Sequence, residues 1–202
     1  MARRYYKIPL FLVCLAPVTL LVTQAAGQDL GANPVEALLH RSGAWTLRFL
    51  LLTLAVTPLR LLTGWTEILQ VRRMLGLFAF FYASLHFSIY AVLDLGLDLG
   101  FVAEDIVERP YITVGFTAWL LLVPLAVTST RAMMRRLGRR WKQLHRLAYA
   151  VAVLGVVHFY WLVKADVREP LIYAGILLVL FGVRLGHRAR RAARLRVARG
   201  EA

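Results

Sequence analysis

Three histidines lie where the interior of a bilayer is expected. His86 and His158 fall inside long apolar runs, and His145 sits at the edge of one, thirteen residues before His158 in HRLAYAVAVLGVVH. Ionisable groups at membrane depth are costly and usually functional, and imidazole is the commonest metal-ligating side chain. Such a pattern suits buried haem held by axial imidazoles, and with it electron transfer across a membrane. The single cysteine, Cys14, excludes a disulfide framework, a four-thiolate cluster and a thiolate zinc site. No CxxCH sequence is present, so any haem is non-covalent and b-type.

The elements that must position these side chains are apolar helices. Of 202 residues, 59% are hydrophobic and 18% charged, whereas a soluble domain carries about 25% charge. Six runs approach the roughly 20 residues needed to span a bilayer: about 8–26, 44–62, 75–96, 111–129, 146–163 and 170–186. The expected fold is all-α, a polytopic bundle of six transmembrane helices forming one domain over 1–202. Pro58 and Pro124 interrupt two spans, and neighbouring helices can absorb such kinks. The first run follows Arg3, Arg4 and Lys7 as a signal peptide would, but its length and the QAAGQ that follows it fit a retained helix better. The sixth run is short and can lengthen into its basic tail. Trp45, Trp65, Tyr111, Trp141, Tyr160 and Trp161 fall near span ends, as an aromatic belt does. GLDLG at Gly96 to Gly100 matches GxxxG but reads as a turn among aspartates. No internal repeat is evident.

Charge sets the orientation. Arg3, Arg4, Lys7, Arg60, Arg72, Arg73, the bases from Arg131 to Arg146 and those from Arg184 to Arg199 make up twenty of the 25 bases, and all fall on one side. Arg41, Arg48, Arg109, Lys164 and Arg168 fall on the other, with nine of the eleven acids, among them Asp94, Asp98, Glu104, Asp105 and Glu108. Positive-inside topology then places both termini in the cytoplasm. The same grouping explains the net charge of +14 through topology and anionic lipid, and excludes nucleic acid as a partner.

Depth decides which histidines can meet. Counted from the cytoplasmic ends of spans three and five, His86 lies about 20 Å up, His158 about 22 Å and His145 about 3 Å, at 1.5 Å per residue. One bis-histidine haem between His86 and His158 follows, and His145 would serve a second, nearer the cytoplasm. On an ideal helix His145 and His158 are rotated by about 220°, so they do not share a face. Arg72 lies at the level of His145; a guanidinium has no lone pair for iron but can bind haem propionates. Arg72, Arg73 and Arg146 are candidates for that role, with lipid headgroup contact as the alternative, and Trp141 could stack on a cofactor. His40 and His187 read as solvent- or lipid-facing.

RRMLGLFAFFYASLHF at Arg72 to Phe87, WKQLHRLAY at Trp141 to Tyr149, HFYW at His158 to Trp161 and TPLR at Thr57 to Arg60 together resemble a known family. It is the haem-binding membrane subunit of the bacterial periplasmic methionine-sulfoxide reductase system, a short relative of the ferric-reductase and NADPH-oxidase transmembrane domain. The likeness covers essentially the whole chain. It implies a six-helix bundle in the bacterial inner membrane with haem b, one or two, and flavin mononucleotide (FMN) as a further cofactor. It implies electrons from the quinone pool (quinol) or a cytoplasmic flavin reductase, passed to a periplasmic molybdopterin-containing catalytic subunit that repairs methionine sulfoxide in envelope proteins. His86, His145 and His158 match the family's histidines. The larger oxidases carry a fourth, where this chain has Arg72.

The chain shows no GxGxxG and no P-loop, so a nicotinamide has no motif to bind. The expected role is an electron-transfer subunit without a catalytic constellation of its own, tuned by axial ligation and burial. One rival keeps the haem and changes the acceptor to ferric chelate or oxygen. Another is a transporter or scaffold with structural histidines; the nearest acids, Glu67 and Asp94, lie at span ends, which disfavours a proton or cation pump.

Overall fold

The structure is a computed structural model that describes residues 7–163 and 165–199; Arg3, Arg4, Lys164 and Glu201 lie outside the described residues. Among those residues every regular element is helical, in the order α1 (Lys7–Ala26), α2 (Pro34–Thr63), α3 (Arg72–Ser88), α4 (Leu99–Glu108), α5 (Pro110–Val127), α6 (Arg131–Leu137), α7 (Arg139–Leu144), α8 (Leu147–Leu162) and α9 (Arg168–Ala198). A 3-10 turn, Glu67–Gln70, leads into α3, and a π-helical turn, Ile89–Asp94, closes it. Six stretches are long and apolar enough to cross a membrane: Lys7–Ala26, Pro34–Thr63, Glu67–Asp94, Pro110–Val127, Arg139–Leu162 and Arg168–Ala198. The protein is a multi-pass membrane protein, and the six expected runs each fall within one of these stretches or overlap it closely.

The boundaries differ where capping outweighs hydropathy. α2 starts at Pro34, well before the apolar run at 44, because Asn33 caps it by accepting from the Glu36 N–H at 3.3 Å and Pro34 occupies the first turn. The added turns carry Glu36, His40 and Arg41, so hydropathy alone passes over them. α9 does lengthen into the basic tail. GLDLG is a turn: Gly96 and Leu97 both have positive φ, and Asp98 caps α4 through the N–H groups of Gly100 and Phe101.

Two antiparallel hairpins dominate the packing, α2 against α3 and α5 against α8; α9 lies on α2 and α8, and α1 on α2 and α3. One core cluster gathers Cys14, Phe49, Phe78, Tyr82, Leu122 and Val151, and a second gathers Leu47, Leu51, Leu54, Ala152, Val156 and Leu177. All of the hairpins' turns near Arg60, Arg72, Arg131 and Arg146 lie at one end of the bundle, the basic end; Glu36, Asp94, Asp105 and Glu169 lie at the other, the acidic end.

Two polar side chains repair helix backbone inside the bundle. Pro58 has no N–H, so the Leu54 carbonyl lacks its intrahelical donor; the Arg184 guanidinium, buried on α9, donates Nη2 to that carbonyl and Nη1 to the Tyr149 hydroxyl at 2.9 Å. Arg184 also lies over the Tyr149 ring, 5.2 Å from its centroid. The Tyr82 hydroxyl, fully buried, is inserted into α1 beside Pro17: it accepts from the Val18 N–H at 3.0 Å and donates to the Cys14 carbonyl at 2.9 Å.

Candidate metal centre between two helical hairpins

His86 ends the regular part of α3, just before the π-helical turn, and His158 lies near the end of α8. Their ring centroids are 6.2 Å apart with the planes at 77°. Two imidazoles ligating one metal from opposite sides, with metal–nitrogen bonds of about 2 Å, hold their centroids roughly 6 Å apart. The depth match read from the sequence therefore becomes an actual pair, one histidine from each hairpin.

Each ring is oriented by the same device. His86 donates Nδ1–H to the Leu39 carbonyl on α2 at 3.0 Å, with the Ser42 hydroxyl at 3.2 Å; His158 donates Nδ1–H to the Tyr111 carbonyl on α5 at 2.6 Å. A carbonyl only accepts, so both rings carry the proton on Nδ1, and Nε2 keeps its lone pair. Metal-binding histidines are held in this way by a second partner on the other nitrogen. Among the described residues no hydrogen bond reaches either Nε2.

The close approach to a helix carbonyl needs a gap four residues on, where a side chain would cover it, and a glycine supplies it in both places. A Cβ on Gly43 would lie 3.2 Å from the His86 ring, and one on Gly115 only 2.7 Å from His158 Nδ1. Both hydrogen bonds span 47 residues of chain. At one constant offset Leu39, Gly43, Leu50, Ala83, His86 and Phe87 become Tyr111, Gly115, Leu122, Gly155, His158 and Phe159, and all twelve line one cavity. The α2–α3 and α5–α8 hairpins are thus copies of one ligand-bearing unit. The sequence reading found no repeat because few identities survive between the copies. The signal available was that shifting the chain to superpose His86 on His158 also superposes Gly43 on Gly115, Leu50 on Leu122 and Phe87 on Phe159.

The cavity between the pair has a volume of about 320 Å³, within the range of cofactor sites. Its walls towards the basic end are apolar, with Leu50, Leu122, Val151 and Trp119; its acidic end is polar, with Glu36, His40, Asp94, Arg109 and Tyr111. Among the described residues no group of three or more His, Cys, Asp or Glu could hold a metal ion. Two imidazoles with apolar walls therefore suit a metal that brings its own equatorial ligands, as haem does. The residues fit that group.

The remaining candidates gather elsewhere. His145 and Arg146 form the short turn between α7 and α8, with right-handed helical backbone at both, so the helix is only locally interrupted between His145 and His158. Its Nε2 lies 3.1 Å from the Thr128 hydroxyl, which itself donates to the Pro124 carbonyl at 2.6 Å, so Nε2 is the donor. Trp141 stacks on His145 with centroids 4.0 Å apart and donates Nε1–H to the Thr128 carbonyl at 3.0 Å. Arg72, half-buried, is close enough to act electrostatically on both His145 and Arg184. Arg73 and Arg146 are exposed. The structure thus joins His145, Trp141 and Arg72 at the basic end and keeps them apart from His86 and His158. Tyr111 and Trp141, read from the sequence as belt aromatics, also contact histidines, Tyr111 through its carbonyl and Trp141 through its ring. Sequence reasoning missed Leu39, Gly43, Tyr111 and Gly115, since backbone carbonyls and ordinary glycines carry no chemical label.

Residues 42–156 match the family described as the ferric reductase like transmembrane component, a stretch that takes in most of both hairpins and ends two residues before His158. A relative from Rhodospirillum rubrum is 57% identical over 189 residues, covering 93% of this chain and 91% of its own length. Others from Xanthomonas euvesicatoria pv. vesicatoria and Xanthomonas campestris pv. campestris are 56% identical over 177 and 180 residues, covering 85% and 86% of this chain and 81% and 83% of theirs. Each of the three carries the name protein-methionine-sulfoxide reductase heme-binding subunit MsrQ. This chain belongs to the MsrQ family of ferric reductase-like membrane proteins.

Proposed function

We propose that this protein is the haem b electron-transfer subunit of a protein-methionine-sulfoxide reductase system, with His86 and His158 as the axial ligands of one haem. The observation that carries the reading is the pair of imidazoles 6.2 Å apart, each pinned through Nδ1 to a carbonyl and each with a free Nε2 in a shared cavity. Haem bound there supplies one-electron redox chemistry. The chain's own part is to hold Nε2 of both rings in place, to exclude water with Leu50, Leu122, Val151 and Trp119, and to set the polarity around the centre.

Electrons pass through the bundle, and the reduction itself belongs to a partner. The relatives' name supports a methionine-sulfoxide reductase catalytic subunit as that partner; we assign it as a periplasmic molybdopterin enzyme. The charge asymmetry between the two ends supports an inner-membrane location with both termini cytoplasmic and the acidic end facing the periplasm. The donor, the quinol pool or a flavin reductase, then delivers at or within the membrane. Arg72, Trp141 and His145 form the candidate cofactor cluster of the basic end, for a second haem or FMN, with Arg73 and Arg146 exposed beside it. The chain is one domain over 1–202 in this reading.

The test is the reduced-minus-oxidised spectrum of the purified protein. A b-type difference spectrum is expected, with His86→Ala and His158→Ala each removing the bis-imidazole component. Colourless protein from haem-replete cells, or a spectrum unchanged in both variants, refutes the assignment.

A further inference from the structure

The cavity between His86 and His158 is polar at one end only. The groups that line its acidic end include Glu36, His40, Tyr90, Asp94 and Arg109, whereas its other walls are aliphatic and aromatic. Among the described residues one guanidinium lines the cavity, that of Arg109 at the start of α5. It is held in place rather than loose. Its Nε contacts Asp105 Oδ1 at 3.0 Å, and the other oxygen of Asp105 accepts from the Tyr90 hydroxyl at 3.0 Å. Asp105 itself is largely buried, with 16% of its side chain exposed. Tyr111 and the Asp105 carboxylate push the Arg109 pKa above its ordinary value, so the charge persists at any working pH.

A guanidinium has five N–H donors in a fixed fork. Asp105 takes Nε and the Tyr111 side chain a further donor, which leaves N–H groups of the five for an acceptor in the cavity mouth. Of the carboxylates that share this mouth, Glu36 is tied to Asn33 at 3.0 Å and faces His40 at 3.9 Å. Two ionised propionates cannot be accommodated against Leu50, Leu122 and Val151 without a large desolvation cost. They can be accommodated at the acidic end, where charge-assisted, bidentate bonds to arginine are available.

We infer that the haem bound between His86 and His158 turns its propionates towards the acidic end, where Arg109 clamps one of them, with Asp105 and Tyr90 as positioning residues for the guanidinium. The inference rests on the haem assignment proposed above. It also moves the propionate contact of this centre away from Arg72, Arg73 and Arg146, which lie at the opposite end of the bundle.

A cation beside the propionates favours the reduced, less positive centre. Removing it lowers the midpoint potential. The experiment is optical redox titration of the detergent-purified protein as Arg109→Gln, Arg109→Lys and Asp105→Asn, with haem per chain measured in each. Wild-type protein without a b-type spectrum refutes the haem assignment itself and is recognised before any variant is compared. Given that spectrum, Arg109→Gln is expected to keep it and to show a reduced-to-oxidised ratio about tenfold lower at fixed potential, which is 59 mV for one electron. Arg109→Lys should recover part of the loss, and Asp105→Asn should leave the midpoint above that of Arg109→Gln, because losing the carboxylate charge by itself raises the potential. Loss of haem from Arg109→Gln but not from Arg109→Lys also supports the clamp. Unchanged midpoints in all three variants overturn it, as does joint loss of haem and helical content from both Arg109 variants, which would assign Arg109 to folding.

Discussion

Replacing Gly115 with alanine tests the logic of the centre most directly. The new Cβ would lie 2.7 Å from His158 Nδ1 and 2.8 Å from Cε1, whereas ordinary contact begins at 3.4 Å. The ring must therefore retreat by about 0.7 Å, enough to stretch the 2.6 Å bond to the Tyr111 carbonyl beyond a good hydrogen bond. At Gly43 the corresponding distance is 3.2 Å, so a shift of about 0.2 Å suffices and the Leu39 bond survives. Loss of a second partner on a metal-binding histidine costs about 10–100-fold in affinity. Gly115→Ala should show that loss in haem titrations of apo-protein followed by Soret absorbance, and Gly43→Ala less than about tenfold. Both glycines lie within helices, where alanine is favoured by up to about 1 kcal/mol; that gain should keep the apo-protein of Gly43→Ala at the wild-type melt and offset part of the about 1–3 kcal/mol lost with the Tyr111 bond in Gly115→Ala. The signature is weaker cofactor binding in a protein that still folds. Full affinity in Gly115→Ala, or equal losses at the two glycines, would show that the ring positions are not set by these close approaches.

Arg184→Met keeps the packing on α9 but leaves the Leu54 carbonyl facing Pro58 without a donor; the expected cost is about 1–3 kcal/mol, read by thermal melting in detergent. Adding Pro58→Ala restores an intrahelical N–H to that carbonyl and should recover part of the stability, and a strictly additive double variant would refute the coupling. His145→Ala should keep the bis-imidazole spectrum of the His86–His158 centre, since its contacts are to Thr128 and Trp141. Disappearance of all haem absorbance would instead place His145 in that centre, and haem counted per chain shows whether the basic end carries a second one.

How much of this was legible in the chain depends on whether the signal lay in side chains or in backbone. Apolar runs mark the spans, since lipid demands them, and an imidazole in such a run is conspicuous. The common depth of His86 and His158 follows from helical rise and alternating direction, and the pair does meet. The start of α2 was missed because its first turns are amphiphilic and their start signal, Asn33–Pro34, speaks through capping rather than hydropathy. The turn at His145 and Arg146 falls at the edge of the apolar run begun at 146, with no proline or glycine to mark it, and the Trp141 stack packs against it. Leu39 and Tyr111 take part through carbonyl oxygens, which any residue would offer. Arg184 read as one more base of a topogenic tail, because its role depends on a carbonyl freed by Pro58 on a distant helix.

The twin construction of the site has a mechanical corollary. Neither hairpin holds more than one of the two imidazoles, and each brings its own carbonyl and glycine to orient it. A metal seated between them would be a rivet through two plates already packed on each other, its bond strength adding to the apolar contacts that resist sliding of α2–α3 against α5–α8. Occupancy and cohesion of the halves are then linked, so whatever extracts the metal also loosens the seam between them.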